Sequence, residues 1–155
     1  MAMSLVAKFP DRVEIIPELI ETAVEEMEHF RDVYQIMEQR GVQLSHEIGK
    51  DVYVDRLLKT MRSGVYERFI DRLLLASVIE CRGAERFRLV YEALPPGELK
   101  DFYHRLWASE AKHGHIFVKM ALNYEPEEAV YQQLDFFMDK EVEILDALEI
   151  KPALH

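Results

Sequence analysis

A chain of 155 residues, 49% apolar and 31% charged, is long enough to bury a proper core and too apolar for a disordered tail. Its net charge of −10 weighs against a partner held by phosphate contacts alone, and a single cysteine, Cys81, excludes an internal disulfide framework and fits a reducing cytoplasm. No apolar run approaches the roughly 20 residues that cross a bilayer, and Met1–Pro10 lacks the charged segment, apolar stretch and cleavage site of a secretory signal.

The pattern predicts helices throughout and one domain over 1–155. Met1–Phe9 reads as the tail of a helix, stopped by Pro10 and Asp11. The next helix starts near Pro17, because proline is tolerated in a first turn, and runs to Arg40, with Gly41 as its stop. Residues 42–50 form a loop, and a short helix follows over Asp51–Met61, ended by Ser63-Gly64. Tyr66–Ala93 is a long helix closed by Pro95-Pro96-Gly97; Glu98–Asn123 and Glu127–Leu148 are the last two, separated near Pro126. The tight turn at Leu94–Gly97 makes antiparallel neighbours, while the connection from Arg40 to Tyr66 is long. That combination predicts an all-α, ferritin-like four-helix bundle with extra helices.

Three of these helices carry ionisable groups in the middle of the face that should be buried. The stripes are Thr22, Glu26, His29, Val33, Ile36; then Phe69, Leu73, Ala76, Glu80, Phe87, Tyr91; then Tyr103, Leu106, Glu110, His113, Phe117, Met120. An isolated buried carboxylate costs several kcal/mol unless it is protonated, paired or bound to a metal. No Lys or Arg falls on the three stripes to pair with it. Glu at one position and His three residues on point the same way from adjacent turns, so one helix supplies an oxygen and a nitrogen to one ion. Two such helices supply two ions, with glutamates free to bridge them. Glu26, His29, Glu80, Glu110 and His113 are therefore the expected metal ligands. Mixed carboxylate and imidazole donors suit iron or manganese, with zinc as a competitor.

In the ordinary pattern a single-glutamate helix precedes each Glu-x-x-His helix. Glu80 serves Glu110/His113; Glu14, Glu18 and Glu21 are too close to Glu26 to serve the other pair from a separate helix. The expectation is that Met1–Phe9 ends a first bundle helix that is truncated here, its glutamate lying upstream. The other reading is a three-carboxylate site, mononuclear or completed by water.

Other candidates are weaker. His46, His104 and His155 lack ligand-spaced partners, and His115 lies on a different face from His113. Cys81 is read as a small buried residue rather than a nucleophile. Tyr34, Tyr66, Tyr91, Tyr103 and Trp107 are read as packing rather than as an oxygen pocket. Charge is uneven: residues 50–119 hold 13 Lys/Arg against 10 Asp/Glu, and the remainder 6 against 19.

At the ligand residues the sequence resembles the tRNA hydroxylase family that acts on 2-methylthio-N6-isopentenyladenosine. The matching stretches are Ser4-Leu-Val-Ala-Lys-Phe9, Glu25-Glu-Met-Glu-His29, Met37-Glu-Gln-Arg-Gly-Val42, Ile79-Glu-Cys-Arg-Gly-Ala-Glu-Arg-Phe87, Phe102-Tyr-His104, Ser109-Glu-Ala-Lys-His113 and Asn123-Tyr124. The resemblance implies a cytoplasmic non-haem di-iron monooxygenase with two iron ions, O₂ as co-substrate and an external electron donor. Its substrate would be tRNA, at the hypermodified adenosine of the anticodon loop, and its product the hydroxylated isopentenyl group. By position, Glu26 and Glu110 would bridge the irons, His29 and His113 would be terminal ligands, and Glu80 a terminal carboxylate. Arg82, Glu85 and Arg86 form an expected salt-bridged cluster behind the ligands. Contact with tRNA would use the basic middle of the chain, for example Arg56, Lys59, Arg62 and Arg105. The rival expectation is a ferritin-like iron protein that oxidises or stores iron, or consumes peroxide, without RNA.

Overall fold

A computed structural model describes residues 1–46 and 49–149 and holds six α-helices, with no strand among the described residues. The expected loop over 42–50 falls partly, and His155 wholly, outside them. Among the described residues no helix is long and apolar enough to cross a membrane. The chain forms two compact units, Met1–Lys50 and Asp51–His155.

The first unit contains α1 (Ala2–Lys8) and α2 (Ile16–Gln39), which pack on each other. Ala2, Leu5, Ile15 and Leu19 are buried, each contributing about 1.5–3 kcal/mol for the larger side chains. Pro17 sits in the first turn of α2, where its missing N–H costs nothing. The far end closes as expected at Gly41, whose φ of +68° is the left-handed conformation that glycine adopts without penalty. Gly41 N–H donates to the Glu38 carbonyl and Val42 N–H to the Met37 carbonyl, the paired bonds of a Schellman stop.

The second unit contains α3 (Val52–Leu58), α4 (Val65–Ala93), α5 (Glu98–Ala121) and α6 (Glu127–Asp146). Asp51 caps α3 by accepting from the amides of Tyr53 at 2.8 Å and Val54 at 3.3 Å. The link to α4 is fastened by Arg62, which gives its backbone N–H to Asp71 at 2.7 Å and its guanidinium to the same carboxylate at 2.6 Å. Asp71 is fully buried.

From Phe69 to Val78 every residue of α4 except Arg72 is buried, so the helix is covered all round at this level. Within the unit it touches α5 along its length, and α6 and α3 on other sides. Phe69, Leu73, Phe117, Met120 and Phe137 are fully buried in this core. The short connection through Pro95 and Pro96 folds α5 back antiparallel on α4.

Candidate metal centre

On α5, Glu110 and His113 are both buried, the imidazole completely, between Leu106 on one side and Phe117 on the other along the same stripe. The three-residue spacing brings His113 Nδ1 to 3.3 Å from Glu110 Oε2. An apolar helix face therefore holds an oxygen donor and a nitrogen donor side by side.

Glu80 on α4 is half-buried, one turn beyond the buried Ala76. The antiparallel register sets its level. Gly114 lies against Cys81 and Ser77, and the Phe87 and Tyr103 rings meet at 5.9 Å. Glu80 is thus brought alongside the turn that carries Glu110 and His113.

In the first unit, Glu26 and His29 share one face of α2 and are half-buried, following the buried Thr22. The hydroxyl of Thr22 donates to the Glu18 carbonyl at 2.8 Å, which frees the face of any side-chain claim by that residue. Further along the stripe burial fades: Ile36 is half-buried and Val33 exposed.

The residues beside these candidate donors show one network that sequence reasoning missed. Glu141 on α6 is buried and accepts from the Tyr53 hydroxyl at 2.5 Å and from Arg82 Nε at 2.9 Å and Nη2 at 3.1 Å. Burial first, and then the bond to Glu141, push the Tyr53 phenol well above its ordinary range. The signal was present: Val130, Leu134, Phe137 and Glu141 recur at four, three and four, an acid on an apolar stripe like the other three.

Of the expected Arg82/Glu85/Arg86 cluster, Arg82 does pair with Glu85, while Arg86 places its guanidinium 5.5 Å over the Tyr53 ring.

Cys81 differs from expectation, being exposed rather than buried. It lines a cleft of about 490 Å³ with Ser77, Trp107, Ala111 and Met138. Partial burial still pushes its thiol upward, so the reactive thiolate is disfavoured. The aromatic residues pack largely as expected. Tyr91 meets His104 at 5.2 Å and Trp107 at 5.8 Å, and the Tyr66 hydroxyl donates to the Tyr124 carbonyl at 2.9 Å. Tyr34, His46 and His115 are exposed.

A buried carboxylate–imidazole pair among aliphatic and aromatic walls, with a second carboxylate level with it, is a donor set that fits iron or manganese. The fold and these donors define a helical protein of the ferritin-like class. The chain belongs to the tRNA-(MS[2]IO[6]A)-hydroxylase (MiaE) family, which it matches over residues 1–155.

It is 30% identical over 154 residues to the tRNA 2-(methylsulfanyl)-N(6)-isopentenyladenosine(37) hydroxylase of Pseudomonas putida, covering 99% of this chain and 74% of that protein. It is 26% identical over 132 residues to the protein of the same name from Salmonella typhimurium, covering 85% of this chain and 48% of that one. Among solved structures it is similar to a Synechococcus protein with aldehyde deformylating oxygenase activity. That match has a TM-score of 0.81 and 29% identity, over 99% of this chain and 77% of the other.

Proposed function

We propose that this protein is a tRNA-modifying hydroxylase. It inserts one oxygen atom from O₂ into the isopentenyl group of 2-methylthio-N6-isopentenyladenosine in tRNA, in the cytoplasm, as an iron-dependent monooxygenase. The observation that carries the reading is the family match across the whole chain, joined to the buried Glu110/His113 pair.

The reading treats residues 1–155 as one functional domain in which Glu26, His29, Glu80, Glu110 and His113 hold two iron ions. Glu26, Glu110 and Glu80 would supply carboxylate oxygens to the iron, and His29 and His113 imidazole nitrogens. When bound, iron supplies the O₂ and one-electron chemistry that no side chain of the chain possesses. The protein's share is to fix the donors and keep water out. Leu106 and Phe117 flank the pair on α5, and the packed α4 behind them gives the donors a rigid mount. The stoichiometry needs two electrons and two protons from an external donor, because one oxygen atom enters the C–H bond and the other leaves as water.

The test is direct. Purified protein with ferrous iron, a reductant, O₂ and tRNA carrying the substrate nucleoside should yield that nucleoside heavier by one oxygen atom. A protein that binds iron and consumes peroxide, but leaves the tRNA unchanged, would sink the proposal.

A further inference from the structure

Polyanion binding by a chain of net charge −10 requires a surface from which acids are excluded. The helices differ sharply in this respect. Between Phe102 and Tyr124 the only acid is Glu110, which is buried, whereas α6 carries seven acids against one lysine and α2 seven against one arginine. On α5 the cations Arg105, Lys112 and Lys119 recur every seven residues, two helical turns apart, and all are exposed. With about 1.5 Å of rise per residue, they form a ridge of about 21 Å. Ala108 and His115, also exposed, lie on the same stripe, and Asp101 is the acid at its N-terminal end. Glu110 and His113 occupy the other side of the helix, so the ridge and the ligands do not compete for one face.

Several other basic residues of this unit sit beside acids or carbonyls. Lys59 is 2.6 Å from Asp55, Arg62 is held by buried Asp71, and Arg56 reaches the Ala147 carbonyl at 3.5 Å. Arg82 and Arg88 pair with Glu141 and Glu92. Of the four cations expected from the sequence to meet RNA, the structure leaves Arg105 on a continuous basic face.

We propose that this outer face of α5, through Arg105, Lys112 and Lys119, holds the phosphate backbone of the substrate RNA. The inference rests on the tRNA-hydroxylase reading. It locates the affinity for RNA on one helix, apart from the ligands on its inner side.

The experiment measures tRNA affinity against salt for the iron-loaded wild type, an R105Q/K112Q/K119Q triple variant and, as a control, K140Q on acid-rich α6, where Lys140 is 2.7 Å from Glu143. Each phosphate contact contributes about 0.7–0.9 to the slope of log affinity against log salt. The triple variant should therefore lose about two of those units of slope and bind tRNA at least tenfold more weakly near 0.1 M salt. K140Q should match the wild type. In turnover, KM for tRNA should rise while kcat at saturating tRNA and iron content stay unchanged.

An unaltered slope and affinity in the triple variant would overturn the proposal. So would unchanged tRNA affinity combined with lost turnover driven by a protein electron donor, which would assign the ridge to an acidic redox partner. Failure of the wild type to hydroxylate tRNA, with its salt-dependent binding still lost in the triple variant, would remove the catalytic reading and keep the RNA-binding face.

Discussion

The hydroxyl of Tyr53 on α3 donates to Glu141 on α6 across 2.5 Å, and both residues are buried. Arg82 of α4 donates two bonds to the same carboxylate, so one acid ties three helices together. Hydrogen bonds to a charged group contribute about 1.5–3 kcal/mol each. Tyr53→Phe should therefore lower stability by about 2 kcal/mol. Arg82→Ala should cost more, about 3 kcal/mol, because it leaves a buried carboxylate without its cation. Urea unfolding followed by circular dichroism measures both, and equal losses would show that the arginine does not neutralise Glu141.

The same phenol predicts a pH dependence. Its folded-state pKa lies above the unfolded value, through burial first and the Glu141 bond second. A raised pKa means the folded state holds the proton more tightly. The contribution is thus complete below about pH 10, where unfolded tyrosine begins to ionise, and is lost progressively as pH rises above that. The wild type should lose stability above pH 10 faster than Tyr53→Phe does. Parallel curves for the two proteins would contradict the assignment.

How much of this was legible beforehand depends on which physical signal each residue carries. The helices were readable because Pro17, Gly41 and Pro95-Pro96 punctuate strong 3.6-residue periodicity; the boundaries shifted by only a few residues, most at α3, which ends at Leu58 rather than Met61. Glu110 and His113 were readable because an acid and an imidazole interrupt an apolar stripe, and both are buried. Glu141 obeys the same rule but stands out less, since α6 is rich in acids and one more raises no alarm. The fates of Lys59 and Arg62 differ in how far the sequence reveals them. Lys59 meets Asp55 through a helical four-residue spacing, but Arg62 meets Asp71 only because a turn between α3 and α4 brings them together.

Asp71 itself gives a clean prediction. It is fully buried and accepts from both the backbone N–H and the guanidinium of Arg62. Asp71→Ala strands those donors and removes the fastening of the α3–α4 link, and should cost about 2–4 kcal/mol in urea unfolding. Arg62→Gln should cost less, since its side chain is 44% exposed and the backbone bond survives. The reverse order would show that the link is not held from Asp71.

Gly114 governs how closely α5 approaches α4. A Cβ at this position would lie 2.5 Å from Cys81 Sγ and 3.4 Å from the Ser77 carbonyl, so the two helices must part or the thiol must move. Gly114→Ala should cost about 1–3 kcal/mol, as overpacking does. It should also reduce iron occupancy, because Glu80 and His113 adjoin the contact on either helix. Cys81→Ala removes the obstructing atom, so the double variant should recover iron occupancy while Cys81→Ala alone retains it. Metal analysis on all three decides it, and a Gly114→Ala protein with full iron and stability would refute the close-approach argument.

Iron itself should report on the proposed ligands through folding. A ligand bound only by the native state stabilises it by about 2.7 kcal/mol at a hundredfold excess over its Kd, so ferrous iron under anaerobic conditions should raise the thermal midpoint of the wild type, and a chelator should return it. His113 is completely buried, so His113→Ala will lower stability by cavity formation whether or not it binds metal. The informative quantity is therefore the increment that iron adds to each variant, measured from that variant's own metal-free midpoint. Glu110→Gln nearly preserves volume while removing the charge, and separates the two effects further. If these residues are ligands, the increment shrinks strongly in both variants, with iron content falling below the wild-type level; His104→Ala, an exposed imidazole within the same helix, leaves it unchanged. An increment that survives in Glu110→Gln and His113→Ala alike would show that iron binds elsewhere and that the buried pair is a hydrogen-bonded part of the core.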